Sequence, residues 1–166
     1  AGLSFDGSND WVDTGGTSAD LNIDGSISRT ILVDVYTESF SGAGAIFSLG
    51  DDGSNLRDFA LRVLDAEGEW RLKMWGTDVD FTYNCKDEWV TFKVTYDGTT
   101  VKVYGKALGA DSFSLLGSAN LTLNTNTSKT VRFGRWTDRS DYFNGRIANV
   151  KIYDDDTETN LVGYWP

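Results

Sequence analysis

Apolar and polar positions alternate in short bursts along this chain, and Gly, Asp, Asn and Ser fill the gaps between the bursts. The clearest burst is Trp89 to Tyr96. Val90, Phe92, Val94 and Tyr96 share one phase of a two-residue period, and Trp89, Thr91, Lys93 and Thr95 share the other, as a half-buried strand requires. Asp97-Gly98 follows, then Thr99 to Tyr104. Asp-Gly between alternating runs predicts a hairpin, because the tight turn needs positive φ. Asp65-Ala66-Glu67-Gly68 links Phe59–Leu64 to Trp70–Trp75 in the same way. In 143–154 the alternation puts Ala148, Val150 and Ile152 on one face and Ile147, Asn149, Lys151 and Tyr153 on the other. The expected strands are 2–6, 10–13, 26–37, 44–50, 58–65, 69–76, 79–83, 88–97, 100–105, 112–117, 129–135 and 143–154. The one helical expectation is a turn near Thr157–Asn160, after an acidic run, Asp154-Asp155-Asp156, that reads as a solvated loop. Many short strands with turn signals between them predict a sandwich or barrel. No linker, low-complexity segment or internal repeat divides residues 1–166, which read as one all-β domain.

Composition agrees with that pattern and narrows the chemistry. There are six Trp, seven Tyr and nine Phe, with 18 Gly and one Pro, a strand-and-turn vocabulary. At 166 residues folding buries roughly 70 % of the chain's surface, enough for a core without staples. Fifteen Lys and Arg against 25 Asp and Glu give a formal net charge of −10. That disfavours nucleic acid and anionic membranes as partners, since both need clustered cations. No apolar run approaches the roughly 18 residues of a membrane span. No basic-then-apolar leader opens the chain, so an export signal is expected upstream or already removed.

Enzyme chemistry finds few footholds. There is no histidine, which removes the commonest general base and metal-binding nitrogen. The single cysteine, Cys85, has no histidine to activate it and no second cysteine for a disulfide or zinc site. Retaining glycoside hydrolysis needs two carboxyls about 5 Å apart. Glu67-Gly68-Glu69 and Asp78-Val79-Asp80 have the alternate spacing; the first suits a hairpin tip and the second reads as two loop carboxylates. No catalytic residues are assigned.

Several blocks together carry a family resemblance. Leu3-Ser4-Phe5-Asp6-Gly7-Ser8-Asn9-Asp10-Trp11-Val12 resembles the opening of laminin-G-like, concanavalin A-like jelly-roll modules. Asp87-Glu88-Trp89 with Val94 to Tyr104 is similar to their central hairpin. Phe133-Gly134-Arg135 and Phe143 to Tyr153 are similar to their closing strands, and Leu161 to Pro166 resembles how such modules end. The blocks follow family order from end to end. Two positions depart from it: Val90 and Thr91 stand where paired histidines often follow the Trp, and Ala148 and Asn149 stand where an acidic pair usually follows the Ile. The resemblance implies a two-sheet antiparallel β-sandwich with functional loops along one rim. The jelly-roll hydrolases of that fold carry Glu-x-Asp-x-x-Glu, which is absent here.

The resemblance also implies a calcium site. In laminin-G modules the rim cation takes an Asp opening one strand, a carbonyl ending the next, and an amide or carboxylate plus a carbonyl from a later loop. Matched onto this sequence, those positions are the Asp58 carboxylate, the Trp75 carbonyl, the Asn124 carbonyl and the Asn126 side chain. The competing reading is that Asp58 caps a loop and Asn126 is turn chemistry. Two side-chain ligands alone place such a site at the weak, extracellular end of calcium affinities. Asp6, Asn9 and Asp10 form a second partial match, which also reads as an Asx-stabilised turn, and 51–55 reads as a turn.

Sugar binding needs an aromatic face beside short polar groups on loops. Trp136-Thr137-Asp138-Arg139-Ser140-Asp141-Tyr142 has that composition, so Trp136, Asp138, Arg139 and Tyr142 are the candidate carbohydrate contacts, and the rim calcium reading would bring Trp75, Asp78 and Asp80 near them. Against this stands a loop Trp that merely covers the sandwich end. Trp11, Trp70 and Trp89 are expected in the core or on a sheet surface. Asn120-Leu121-Thr122 and Asn126-Thr127-Ser128 match the glycosylation acceptor pattern of exported eukaryotic proteins. The resulting expectation is a non-catalytic, calcium-assisted carbohydrate-binding module, outside the cell or on a cell or virion surface. The alternative is a structural or adhesive module that binds protein. Few cations favour neutral sugars over sulfated ones.

Overall fold

The computed structural model describes residues 2–51, 53, 55–137 and 139–166. Thirteen strands are present among them: β1 (Leu3–Asp6), β2 (Val12–Thr17), β3 (Arg29–Ser39), β4 (Ala45–Gly50), β5 (Asp58–Val63), β6 (Glu69–Lys73), β7 (Val79–Thr82), β8 (Trp89–Tyr96), β9 (Thr100–Ala107), β10 (Ser114–Asn120), β11 (Thr130–Phe133), β12 (Asn144–Tyr153) and β13 (Leu161–Trp165). Two antiparallel sheets face each other. One runs β1-β12-β3-β8-β9-β10, with β13 beside β12; the other runs β2-β11-β4-β5-β6-β7. Alternation and turns predict a sandwich or barrel; the two-sheet jelly roll found is the one that the family resemblance implies.

Each of the twelve expected strands has a counterpart, with shifted ends. The largest shift is in β2, expected at 10–13 and found at Val12–Thr17. Gly15-Gly16 hides it, since glycine carries no strand signal, but Thr14 Oγ1 ties the strand to the Val131 carbonyl at 2.9 Å. The Asp97-Gly98 hairpin forms as expected, with Gly98 at φ 100° and Asp97 Oδ1 accepting from Thr99 N at 2.8 Å and Thr100 N at 2.7 Å. The tail 161–165, not expected as a strand, pairs with β12.

The helical turn near Thr157–Asn160 does not form. Asp155 replaces it: its carboxylate accepts from the backbone N–H of Thr157 at 2.8 Å, Thr159 at 3.0 Å and Asn160 at 2.6 Å. The acidic run is therefore a turn organiser rather than a merely solvated loop. The expected split of 143–154 also changes. A β-bulge between Ala148 and Lys151 puts Ile147, Val150 and Ile152 in the core and leaves Ala148 facing out.

The core lies between the sheets around the fully buried Trp70, whose ring meets Phe40 at 5.3 Å, Phe92 at 4.7 Å and Phe81 at 6.3 Å. Its indole N–H donates to the Tyr83 carbonyl at 3.0 Å, which satisfies its one polar atom. Arg29 is also fully buried. Its guanidinium lies over Phe59 and Tyr96 and donates to Gly25 O, Ile27 O and Thr125 Oγ1. Burial lowers its pKa to about 9, so it stays charged at neutral pH and pins the loop at 24–27 to the loop at 124–126.

One departure from strand logic leads to the site. A sheet with one solvated face shows alternating burial, yet every residue of β4 and β5 is buried. Something covers the outer face of the six-stranded sheet.

Candidate functional site

The cover is the segment that joins β11 to β12. Gly134 at φ 83° turns it; Gly134 N donates to Ile46 O at 3.1 Å, and Phe143 N returns to Gly134 O at 2.9 Å. Between these anchors the segment closes on itself, Trp136 N donating to Asp141 O at 3.1 Å and Arg139 N to Trp136 O at 3.0 Å. Gly44 allows the close approach: a Cβ there would sit 2.3 Å from the Tyr142 backbone.

Trp136 is the keel of this segment. It packs on Ala45 and Ala60, two small residues that leave room on the sheet. Its indole N–H donates to Asp58 Oδ2 at 2.7 Å, the Arg62 guanidinium lies 3.5 Å from its ring centre, and Trp75 stacks on it at 6.2 Å with 25° between the planes. At 4 % exposure it is not the open sugar platform read from the sequence; two alanines beneath it and an arginine over it make it part of a small second core. Thr137 N adds a bond to Ser48 Oγ at 3.1 Å, and Arg132 Nη1 donates to the Thr137 carbonyl.

Around Trp136 the face is a mosaic of cations, rings and carboxylates. Strand register sets the rows: Ala45, Arg62, Arg71 and Asp80 lie across β4 to β7, and Asp13, Arg132, Ser48, Ala60 and Lys73 across β2 to β6. Arg71 grips Asp80 through two bonds, at 2.6 and 2.8 Å. That pairing raises the arginine's pKa and lowers the aspartate's. Lys73 bonds Asp78 at 2.9 Å and stands 4.0 Å over the Trp75 ring. Asp78 also accepts the N–H groups of Met74 and Trp75. Arg62 and Arg139 approach Asp141 at 3.5 and 3.6 Å. Burial lowers the Arg62 pKa, and Asp141 and Asp58 oppose that shift. Arg135 lies over Tyr142 and, with Arg132, over Trp11.

The candidate carbohydrate contacts thus separate. Trp136 is buried, Arg139 and Tyr142 lie on the covering segment, and Asp138 lies outside the described residues. Trp75, Asp78 and Asp80 share one face with Trp136. Sequence reasoning missed Arg62, Arg71, Lys73 and Arg132. Their signal was the polar phase of β5, β6 and β11, which puts them opposite Phe59, Leu61, Leu72 and Phe133.

The candidate calcium ligands meet at one corner, where Leu56 N donates to the Trp75 carbonyl at 2.8 Å, Asn124 N to Leu56 O at 2.9 Å and Asn126 N to Arg57 O at 3.0 Å. Three of the candidate oxygens are engaged, the Trp75 carbonyl by the Leu56 N–H among them. Asp58 Oδ2 holds the Trp136 indole, and Asn126 Oδ1 accepts from Ser128 N. Calcium requires six to eight oxygens aimed at one point. Among the described residues no cluster of three His, Cys, Asp or Glu is placed to hold a metal, so a cation at this corner would rest on Asp58 with carbonyl and amide oxygens. At the other partial match, Asp6 Oδ1 accepts from Ser8 N at 2.7 Å and Asp10 Oδ2 from Asp6 N at 3.1 Å, the Asx-turn arrangement. Of the stretch 51–55, Asp52 and Ser54 lie outside the described residues.

The laminin G-like family model, described as the concanavalin A-like lectin/glucanases superfamily, matches residues 6–159, and the chain belongs to that family. No curated protein matches its sequence closely enough to count as a relative. Solved structures share the fold at low identity. The LG4-5 domains of the mouse laminin alpha1 chain are 13 % identical, with a TM-score of 0.62 over 91 % of this chain and 40 % of that one. The CBM40 module of the Ruminococcus gnavus IT-sialidase, bound to alpha2,3 sialyllactose, is 15 % identical, with a TM-score of 0.70 over 95 % of this chain and 91 % of that one. The enzymatically active domain of bacteriophage CBA120 tailspike protein 2 is 15 % identical, with a TM-score of 0.68 over 99 % of this chain and 29 % of that one. The chain therefore spans two fifths of the laminin structure and under a third of the tailspike domain.

Proposed function

We propose that this protein is a non-catalytic glycan-recognition module of an extracellular or surface protein, and that it takes its glycan on the outer face of the six-stranded sheet. The observation that carries this reading is the gathering of Arg62, Arg71, Lys73, Arg132, Arg135 and Arg139 with Trp11, Trp75 and Tyr142 on one side of a chain whose net charge is −10. Six of the fifteen cationic side chains stand there, interleaved with carboxylates: Arg71, Lys73, Arg135 and Arg139 reach the surface, and Arg62 and Arg132 are buried behind them. Arginine forks and aspartates bind sugar hydroxyls, and half-buried rings meet the apolar CH faces. The sialyllactose complex of the CBM40 module supports glycan binding by this fold in general.

The same face argues against hydrolysis. A general acid needs a raised pKa, whereas the Arg71 fork lowers that of Asp80. Glu67, at the hairpin tip, pairs with Lys86 at 3.7 Å. Burial pushes the Cys85 thiol up to about 12, so it is no nucleophile at neutral pH.

The deciding experiment is a glycan array probed with the wild-type protein, with calcium and with chelator, followed by titration of Arg71→Ala and Arg139→Ala against the best glycan. Binding to a defined glycan, weakened at least about tenfold by either variant with no change in Tm, is the expected result. Silence across the array in both conditions, or variants that bind as tightly as wild type, overturns the proposal and moves the weight to a protein-binding module.

A further inference from the structure

The opposite sheet carries a second, separately built pocket. Outer positions of β3, β8 and β12 meet there in register: Asp34 faces Thr91 on one side and Ala148 on the other, and Tyr36 faces Trp89. The cavity, of about 150 Å³, is lined by Asp34, Trp89, Leu108, Ala148 and Asn149.

Its polar end is oriented by the bulge in β12. Asn149 adopts φ 50° within a ten-residue strand, a conformation that costs free energy for a side chain other than glycine. Bulges of this kind re-aim side chains. Here the Asn149 amide turns across to donate to Asp34 Oδ2 at 2.9 Å, while Thr91 Oγ1 donates to Asp34 Oδ1 at 2.7 Å. Because the Asp34 oxygens accept, they fix which end of the amide is the donor, and Tyr164 OH donates to the other end, Asn149 Oδ1, at 3.2 Å. The carboxylate is thus held in one orientation by neutral groups. Among the described residues no Lys or Arg forms an ion pair with it. Each oxygen keeps acceptor capacity, and the amide keeps a second N–H. The other wall is apolar: the Trp89 ring, braced by Tyr36 at 5.7 Å, and Leu108, which is 52 % exposed.

The geometry points to a binding site for one neutral hexopyranose of gluco, manno or galacto configuration. Asp34 accepts from two hydroxyls, Asn149 donates to one, and the CH face of the ring lies on Trp89 and Leu108. The cavity is below the roughly 300 Å³ of larger ligand pockets, so it takes a single terminal sugar rather than a stretch of chain. A carboxylate in the pocket of an acidic protein repels anionic sugars. A quaternary ammonium or lysine-like cation is the other chemistry a carboxylate beside an indole suits, but such ligands need rings on several sides. The nearest second ring, Tyr36, is already covered by the Arg146 guanidinium at 5.2 Å.

The test uses methyl α-D-glucopyranoside, methyl α-D-mannopyranoside, methyl β-D-galactopyranoside and choline as probes, read by ¹H–¹⁵N NMR shifts of the wild-type protein and of Asp34→Asn, Asn149→Gly and Arg139→Ala. Glycine keeps the positive φ, and asparagine keeps the shape of Asp34, so both variants report on binding rather than on folding. Saturable shifts at Asp34, the Trp89 indole, Leu108 and Asn149 with at least one glycoside are expected. They should weaken at least about tenfold in Asp34→Asn and Asn149→Gly and stay unchanged in Arg139→Ala. That last arm separates this pocket from the face of the six-stranded sheet. No such shifts with any glycoside, shifts that persist in both pocket variants, or shifts with choline alone overturn the inference.

Discussion

The Trp136 indole N–H donates to Asp58 Oδ2 across 2.7 Å, with both residues buried and 78 positions apart in the chain. This bond fastens the segment between β11 and β12 to the outer face of the six-stranded sheet. It explains why Asp58, opening β5, is tolerated without exposure: a buried carboxylate must be paired or hydrogen-bonded. It also joins the two places where sequence reasoning looked for ligands, the proposed cation corner and the proposed sugar loop.

Trp136→Phe should keep part of the ring packing and remove this donor. Hydrogen bonds to a buried charged group contribute about 1.5–3 kcal/mol, and a loss in that range is expected in urea unfolding. Trp136→Ala, which also empties the space over Ala45 and Ala60, should cost about 3–5 kcal/mol. If the Phe variant matches wild type, the bond does not anchor the segment.

The same engagement sets the expected response to calcium. A ligand that binds only the folded state raises Tm by mass action. With Asp58 Oδ2 committed to Trp136 and Asn126 Oδ1 to Ser128, millimolar calcium and chelator should give the same Tm. A rise of several degrees with calcium, lost in Asp58→Asn, would show that these oxygens turn outward to a cation.

Local pattern carried most of the fold and little of the site. Trp89 to Tyr96 alternates cleanly, and its neighbours in the sheet do so too, so β8 and β9 were legible residue by residue. β13 was not, because Leu161–Trp165 shows weak alternation and its pairing depends on the Asp155 turn that delivers it. The covered face was hidden for another reason. Alanine at 45 and 60 leaves space, and Trp136 fills it, but nothing local links positions so far apart. A Trp among Thr, Asp and Arg has the composition of a sugar loop whether it faces solvent or folds back. The bulge at Asn149 was equally unreadable, and one extra residue there reversed the expected facing of Ala148.

Gly50 and Gly15 separate backbone conformation from space. Both have positive φ, 83° and 76°. A Cβ at Gly50 would sit 2.0 Å from the Arg57 carbonyl, whereas nothing lies within 4 Å of one at Gly15. Gly15→Ala should cost only the conformational term, about 1–2 kcal/mol. Gly50→Ala adds a backbone clash where β4 meets β5 and should cost about 2–5 kcal/mol. Equal losses in chemical denaturation would mean that the 50–57 backbone yields freely.

Asp155 gives the chain a specific acid response. Its carboxylate is exposed, yet the N–H groups of Thr159, Asn160 and Thr157 lower its pKa from 3.8 to about 2. A depressed folded-state pKa contributes stability above the unfolded value that is lost as pH falls through the folded one. The contribution is therefore complete above about 4 and gone near 2. Asp155→Asn lacks this contribution at every pH, so the quantity to measure is the Tm difference between wild type and variant. It should be constant from neutral pH to about 4 and shrink towards zero near pH 2, since the other carboxylates titrate equally in both proteins. Amide exchange at Lys151 and Ile152, which pair with Tyr164 and Gly163, should quicken in the variant, because the turn holds β13 on β12. A difference that persists undiminished at pH 2 would mean that the shape of the side chain, and not its charge, organises the turn.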